Sequence, residues 1–366
     1  MRVALVHDYL RQYGEAERLL TVLHQMYPQA PVYTAFVDRA SLGTAIDQFA
    51  GWDLRTTPAQ SLPGIGQYYQ KFRAFLPYFW ESLDLSEYDL VISSSGDYCS
   101  KAVLTRSETL HITYCHTPPR PLWQESNPSP WWRYSAQLNT RLRQYDFQTA
   151  QRVDRFITNS ETVARRIRKF YRRSAEVIPP PVQVHGRGEA GADYYLYIGD
   201  LTRQQQVELA VRACTNLDRP LYVVGTGSAE AHLKGLAGKT VKFLGSLPTP
   251  EINQLYAGAR ALIFPWAEAD FGFAPVEAMG RGVPVIASGL SGIREIVLDY
   301  RTGVLFKEQS VAALEQAIIK FEGLRFSSQA CIERAREFAE AGFISKLEWY
   351  IAQALDDYKQ RGAIVL

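Results

Sequence analysis

A chain of 366 residues is longer than the roughly 250–300 residues at which single cores divide, so two domains are expected. Its 46% hydrophobic and 21% charged residues exclude a disordered chain, and 40 basic against 38 acidic side chains, a net charge of +2, give no electrostatic argument for nucleic acid, so none is expected as a partner. Cys99, Cys115, Cys214 and Cys331 lie far apart without paired metal spacing, which suits reduced packing thiols in a cytoplasm better than a disulfide framework. With no signal segment and no run near the roughly 18 apolar residues of a membrane span, a soluble or peripheral protein is expected.

Short apolar runs bounded by turn residues predict buried parallel strands at Val3–Val6, Leu90–Ile92, Ile112–Tyr114 and Phe156–Thr158. A second set follows at Tyr194–Ile198, Leu221–Val224, Val241–Leu244, Leu262–Phe264 and Val283–Ala287. Amphipathic segments alternate with them: Ala16, Leu19, Leu20, Leu23, Met26 and Tyr27, for example, fall on one helical face. Strand and helix in alternation predict two doubly wound α/β sheets. Pro179-Pro180-Pro181 precedes a glycine-rich stretch without apolar periodicity, so the expected domains are 1–182 and 193–345, joined by a linker over 183–192. A last helical pattern runs through Leu347, Ile351, Leu355 and Tyr358.

Ligands of open parallel sheets bind outside the carboxyl ends of the strands, where helix-start N–H groups attract anions. Three glycine turns suit that place: Gly14 before the first helix, Gly225-Thr226-Gly227-Ser228 after Val224, and Phe271-Gly272-Phe273-Ala274-Pro275. Taken alone, each is more readily explained as a tight structural loop than as a ligand site. His116, in Tyr114-Cys115-His116-Thr117-Pro118-Pro119-Arg120, stands at a strand end as either a substrate contact or a histidine satisfied by backbone. Glu277, read near a helix start, would take two ribose hydroxyls or merely stabilise its own helix. The six histidines show no ligand spacing, so neither a metal nor a cofactor is expected.

The stretch Pro265–Gly280 with Arg281-Gly282-Val283-Pro284-Val285-Ile286-Ala287 resembles glycosyltransferase family 4, the retaining GT-B group. Val6-His7-Asp8, Gly14-Glu15-Ala16-Glu17-Arg18, Tyr114–Pro118, Asn159-Ser160, Pro179–Val182, Gly225–Ser228 and Phe243-Leu244-Gly245 extend the resemblance over nearly the whole chain. It implies a GT-B fold of two Rossmann-like domains, with the final helix, 346–366, packing back on the first. It also implies metal-independent transfer of a sugar from a nucleotide-diphosphate donor to a glycan or lipid-linked acceptor, with retention, in polysaccharide or glycolipid assembly. By position, Glu277 would hold the donor ribose, His116 would face the transferred sugar, and Gly272, Phe273 and Ala274 would lend backbone groups. Gly14, Gly225 and Arg203 complete the donor side, and Asp8 and Arg120 the acceptor side.

Four positions depart from the family pattern. The first of its paired glutamates falls on Ala269, with Glu268 as the neighbouring stand-in; Asp200 and Gln205 replace the cations that neutralise the diphosphate; and Glu15 enters the double-glycine turn. Two lost charge-assisted hydrogen bonds would cost about 3–6 kcal/mol. Arg203, Arg18 or Arg281 would have to replace the cations, and the alternative is a non-catalytic relative that binds or scaffolds a protein partner. Six of the nine residues from Arg165 to Arg173 are basic, which with Trp131 and Trp132 beside Asn127-Pro128-Ser129-Pro130 suits either a peripheral contact with the inner face of a membrane or a solvated helix face.

Overall fold

The computed structural model describes residues 1–123, 132–186, 193–290 and 292–364. It contains two compact units, Met1–Pro181 with Phe343–Leu366, and Val182–Gly342. The first is built on a seven-stranded parallel sheet: β1 (Val3–His7), β2 (Val32–Thr34), β3 (Leu54–Thr56), β4 (Leu90–Ser95), β5 (Leu110–Cys115), β6 (Arg155–Thr158) and β7 (Glu176–Val177), in the order β3-β2-β1-β4-β5-β6-β7. The second carries six parallel strands: β8 (Tyr195–Ile198), β9 (Leu221–Val224), β10 (Val241–Gly245), β11 (Ala261–Phe264), β12 (Val285–Ser288) and β13 (Gly303–Phe306), in the order β10-β9-β8-β11-β12-β13. Both sheets are doubly wound, and their order reverses between β1 and β4 and between β8 and β11.

Alternation along the strands divides each core between two sheet faces. Leu5, Leu90, Ile92 and Ile112 face one side of the first sheet, where they pack with Leu19, Leu20 and Leu23 of the helix Glu15–Met26. Ala4, Val6 and Val91 face the other side, with Phe79, Trp80 and Leu142. In the second unit Leu196, Leu262 and Val285 pack with Val276 and Met279, while Tyr195, Ile263 and Ile286 pack with Val211 and Ile318. The final helix, Glu340–Ile364, places Phe343, Leu347, Ile351 and Ala354 in the core of the first unit.

Every strand expected from the apolar runs is present. Four more, β2, β3, β7 and β13, two to four residues long, lie beyond those expected. The strand expected from Val283 begins at Val285, since Val283 N–H is drawn back to Ala278 O at 3.0 Å. In the segment read as a linker, Val184 packs against the second core just after the Val182 N–H bonds Phe338 O at 3.0 Å, and 187–192 lie outside the described residues.

All four cysteines are free and buried, and no helix among the described residues is long and apolar enough to cross a membrane. Two buried polar groups were not legible in sequence. Lys101 and Asp146 form an ion pair with side chains 1% and 0% exposed; Asp146 also accepts from Trp123 Nε1 at 2.7 Å, and Lys101 Nζ lies 5.0 Å from the Tyr171 ring centroid. This pair ties the helix Trp132–Arg152 to the turn after β4. His111, fully buried on β5, has Nε2 2.9 Å from Ser93 Oγ; burial, with a smaller contribution from Lys101, pushes its pKa down to about 3.

Removing one partner of a buried ion pair strands the other, so Asp146→Asn is expected to lower unfolding free energy by about 3–5 kcal/mol in urea titration, with Lys101→Met/Asp146→Leu recovering most of it. His111 is neutral when folded, whereas an unfolded histidine titrates near pH ~6.5. The unfolded state therefore binds the extra proton, and stability falls as pH drops from about 6.5 towards about 3, by up to about 1.4 kcal/mol per pH unit. Melts across that range should show a shallower decline for His111→Gln.

Candidate active site

Parallel pairing brings His7 opposite Ser94 and Ser95 opposite Cys115, so the carboxyl ends of β1, β4 and β5 lie level where the strand order reverses. His116 follows directly: its N–H donates to Ser95 O at 2.9 Å and its carbonyl accepts from Asn159 Nδ2 at 3.0 Å. The half-buried ring places Nε2 2.8 Å from Ser94 Oγ. Ser94 Oγ lies 3.1 Å from His7 Nδ1, and His7 Nε2 lies 3.5 Å from Glu17 Oε1. Burial raises the Glu17 pKa, but the hydrogen bond and charge of His7 and the Gly14 N–H more than offset it, leaving the carboxyl below its ordinary range. Glu17, His7 and Ser94 were missed as site residues; the sequence showed His7 and Glu17 within matching motifs, but nothing linked either to Ser94.

Two expectations change here. Asp8 is no open acceptor contact: Oδ2 accepts from Gly96 N–H at 2.8 Å and Tyr98 N–H at 3.0 Å, and Oδ1 from Ser100 N–H at 2.8 Å. It clamps the turn after β4, in which a Cβ on Gly96 would sit 3.5 Å from Asp8 Oδ2 and 3.8 Å from His116 Cβ. The Gly14 N–H donates to Glu17 Oε2 at 2.8 Å, so the protein's own carboxylate already takes the group expected to meet a diphosphate. Arg120, half-buried, opens the short helix Arg120–Trp123, and Arg166 Nη1 donates to Thr117 Oγ1 at 3.3 Å, beside His116.

In the second unit the helix Phe273–Gly280 starts at Gly272, where a Cβ would meet Ile293 Cδ1 at 2.5 Å. Phe273 is buried edge-on against Phe271, with centroids 5.5 Å apart, so it can offer a ligand little beyond its backbone; Ala274 is half-buried. Glu277 is the fifth helical residue, not a first-turn acid, which removes the dipole argument on either reading. Its Oε2 accepts from Tyr256 Oη at 2.9 Å. Arg281, a candidate phosphate cation, is instead buried, with Nη2 2.5 Å from Asn253 Oδ1 and its guanidinium 5.4 Å from the Tyr256 ring centroid.

Gly225 has φ +130°, and a Cβ there would stand 2.0 Å from Gly199 O. The ends of β8, β9 and β10 are laced together by Gly199 N–H to Val224 O at 3.1 Å and Gly225 N–H to Gly245 O at 2.8 Å. Close backbone approach thus requires a glycine at 225 whether or not a ligand binds. Asp200 and Arg203 are both exposed on the loop after β8, and Arg18 is exposed in the first unit. Ala269 is 0% exposed in the core while Glu268 is exposed, so the carboxylate at 268 does not point where a side chain at 269 would.

The chain matches the model for glycosyl transferases group 1 over residues 187–338 and that for glycosyltransferase family 4 over 16–185. O-antigen chain mannosyltransferase B of Escherichia coli is 28% identical over 178 residues, covering 45% of this chain and 45% of its own. The chain spans less than half the length of the curated relatives it matches. Among solved structures, the apo form of lipopolysaccharide outer core galactosyltransferase WaaB aligns with a TM-score of 0.70 at 16% identity, covering 96% of this chain and 99% of that chain. Anabaena Alr3699/HepE in complex with UDP aligns with a TM-score of 0.68 at 17% identity, covering 96% and 100%. With the two family models spanning both sheets and the switch-point sites described above, the chain belongs to glycosyltransferase family 4 and has the GT-B fold.

Proposed function

We propose that this chain is a retaining, metal-independent glycosyltransferase that moves a sugar from a nucleotide-diphosphate donor to a glycan or lipid-linked acceptor in polysaccharide or glycolipid assembly. The observation that carries this reading is the order imposed on His116: a ring at the switch point of the first sheet, held at its N–H, its carbonyl and its Nε2. In this reading His116 faces the transferred sugar, Glu277 takes the ribose hydroxyls beside Tyr256, and the backbone of Gly272, Phe273 and Ala274 meets the sugar or its phosphates. Arg203, exposed after β8, and Arg18 are the candidate cations for the diphosphate, since Arg281 is engaged elsewhere. The UDP complex of a neighbour with the same fold supports a nucleoside diphosphate as the ligand class.

The burial of Ala269 favours a second reading, a non-catalytic relative that binds a protein partner. Thermal shift and calorimetry against a panel of nucleoside diphosphates and their sugars separate the two. The enzyme reading expects saturable stabilisation by one ligand at micromolar to low millimolar concentration, transfer from that donor, loss of turnover in Glu277→Ala and severe loss in His116→Ala. Silence from the whole panel, with capture of a protein partner, would move the assignment to the second reading.

A peripheral membrane contact remains part of the proposal for the acceptor side. Arg165, Arg168, Lys169 and Arg172 are exposed, whereas Arg166 bonds Thr117, and Arg173 donates to backbone carbonyls such as Val153 O at 2.7 Å. Trp131 and Asn127–Pro130 lie outside the described residues, as does the side chain of Trp132. Sedimentation with anionic vesicles should be lost on raising salt and on Arg165→Glu/Arg168→Glu; no binding at low salt would remove this contact.

A further inference from the structure

We propose that Glu17, His7 and Ser94 are positioning residues that set the tautomer of His116, a role that rests on His116 facing the transferred sugar as read above. The three side chains belong to residues 2%, 2% and 1% exposed, so water does not compete for their hydrogen bonds. Each link has a direction that the chemistry of the groups dictates.

The Gly14 N–H holds Glu17 Oε2 at 2.8 Å, which leaves Oε1 towards His7 Nε2 at 3.5 Å. An ionised carboxylate can only accept, so when the His7 ring carries one hydrogen it sits on Nε2 and Nδ1 is bare. Nδ1 lies 3.1 Å from Ser94 Oγ, and the single hydroxyl proton turns towards it. In its second contact, 2.8 Å to His116 Nε2, the serine oxygen must then accept, and Nε2–H of His116 donates. His116 is held with its hydrogen on Nε2 and a lone pair on Nδ1. A sugar hydroxyl that met the ring at Nδ1 would meet an acceptor, whereas the opposite tautomer would present it with a donor.

A near-isosteric change reverses the chain. In Glu17→Gln the Gly14 N–H keeps the amide oxygen at the Oε2 position, which sets the amide NH₂ against His7 Nε2. His7 then carries its hydrogen on Nδ1, donates to Ser94, and Ser94 donates to His116 Nε2, leaving His116 with Nδ1–H.

Long-range ¹H–¹⁵N correlation spectra of histidine-labelled protein read these states directly, without substrate. The expected result is Nε2–H for His7 and His116 in the wild type and Nδ1–H for both in Glu17→Gln. Ser94→Ala should leave His116 in a tautomer mixture that Ser94→Thr restores, and this pair carries the test should Glu17→Gln fail to fold. In transfer assays Glu17→Gln is expected to lower kcat about 10–100-fold, the range seen when a partner that orients a metal-bound histidine is removed, with KM changed less than about threefold. An unchanged His116 tautomer in Glu17→Gln and Ser94→Ala overturns the proposal. Full transfer by His116→Ala would instead remove His116 from the sugar and leave the tautomer coupling standing, so the two failures are distinct.

Discussion

Both sheets are parallel and covered on both faces, and the rest of the molecule follows from that constraint. Lateral hydrogen bonds close the backbone within each sheet, and the faces are filled mainly by apolar side chains, so the groups that could meet a ligand gather at the strand ends. In the first unit the register decides which residues meet there. His7 stands opposite Ser94, and β5 delivers His116 one step beyond Cys115. A slip of one residue would turn each side chain to the opposite face and dissolve the group.

The layer at those strand ends holds several buried ionisable groups with specific partners. Asp8 is saturated by three backbone donors, Glu17 by Gly14 and His7, and Asp146 by Lys101 and Trp123. Removing such groups from water is costly unless hydrogen bonds and opposite charge offset it, so the arrangement holds only while every member is in place. That mutual dependence makes the turn after β4 rigid: Asp8 fixes its backbone while Lys101, one residue past the last Asp8 contact, anchors it to the helix Trp132–Arg152.

The second unit is built differently. Its strand ends are drawn together by backbone, through Gly199, Gly225 and Gly245. The departures from the family pattern fall mainly here. Ala269 has joined the hydrophobic core and Asp200 lies on the surface, while Arg281, a candidate replacement cation, is committed to Asn253 and Tyr256. Glu277 keeps a polar setting through the Tyr256 hydroxyl, although it sits too deep in its helix to gain much from the dipole.

The α/β class, the doubly wound architecture and most strands were legible in sequence, because a strand buried on both faces must be apolar throughout and its helices must carry one apolar stripe. Strands as short as Glu176–Val177 were not, since pairing with a neighbour defines them more than their own composition does. His116 and Glu277 could be marked because each lies next to a strand end or glycine turn that sequence displays. What sequence alone determined was which residues are apolar, where the chain turns and where an isolated polar group interrupts a buried run. Only the tertiary structure decided that Gly14 and Asp8 serve the protein's own turns, that Arg281 is engaged elsewhere, and that Glu17, His7, Ser94 and His116 form one chain. The contacts between β1 and β4 span 87 residues, and a hydrogen bond depends on ångström separations that no local pattern of residue types encodes.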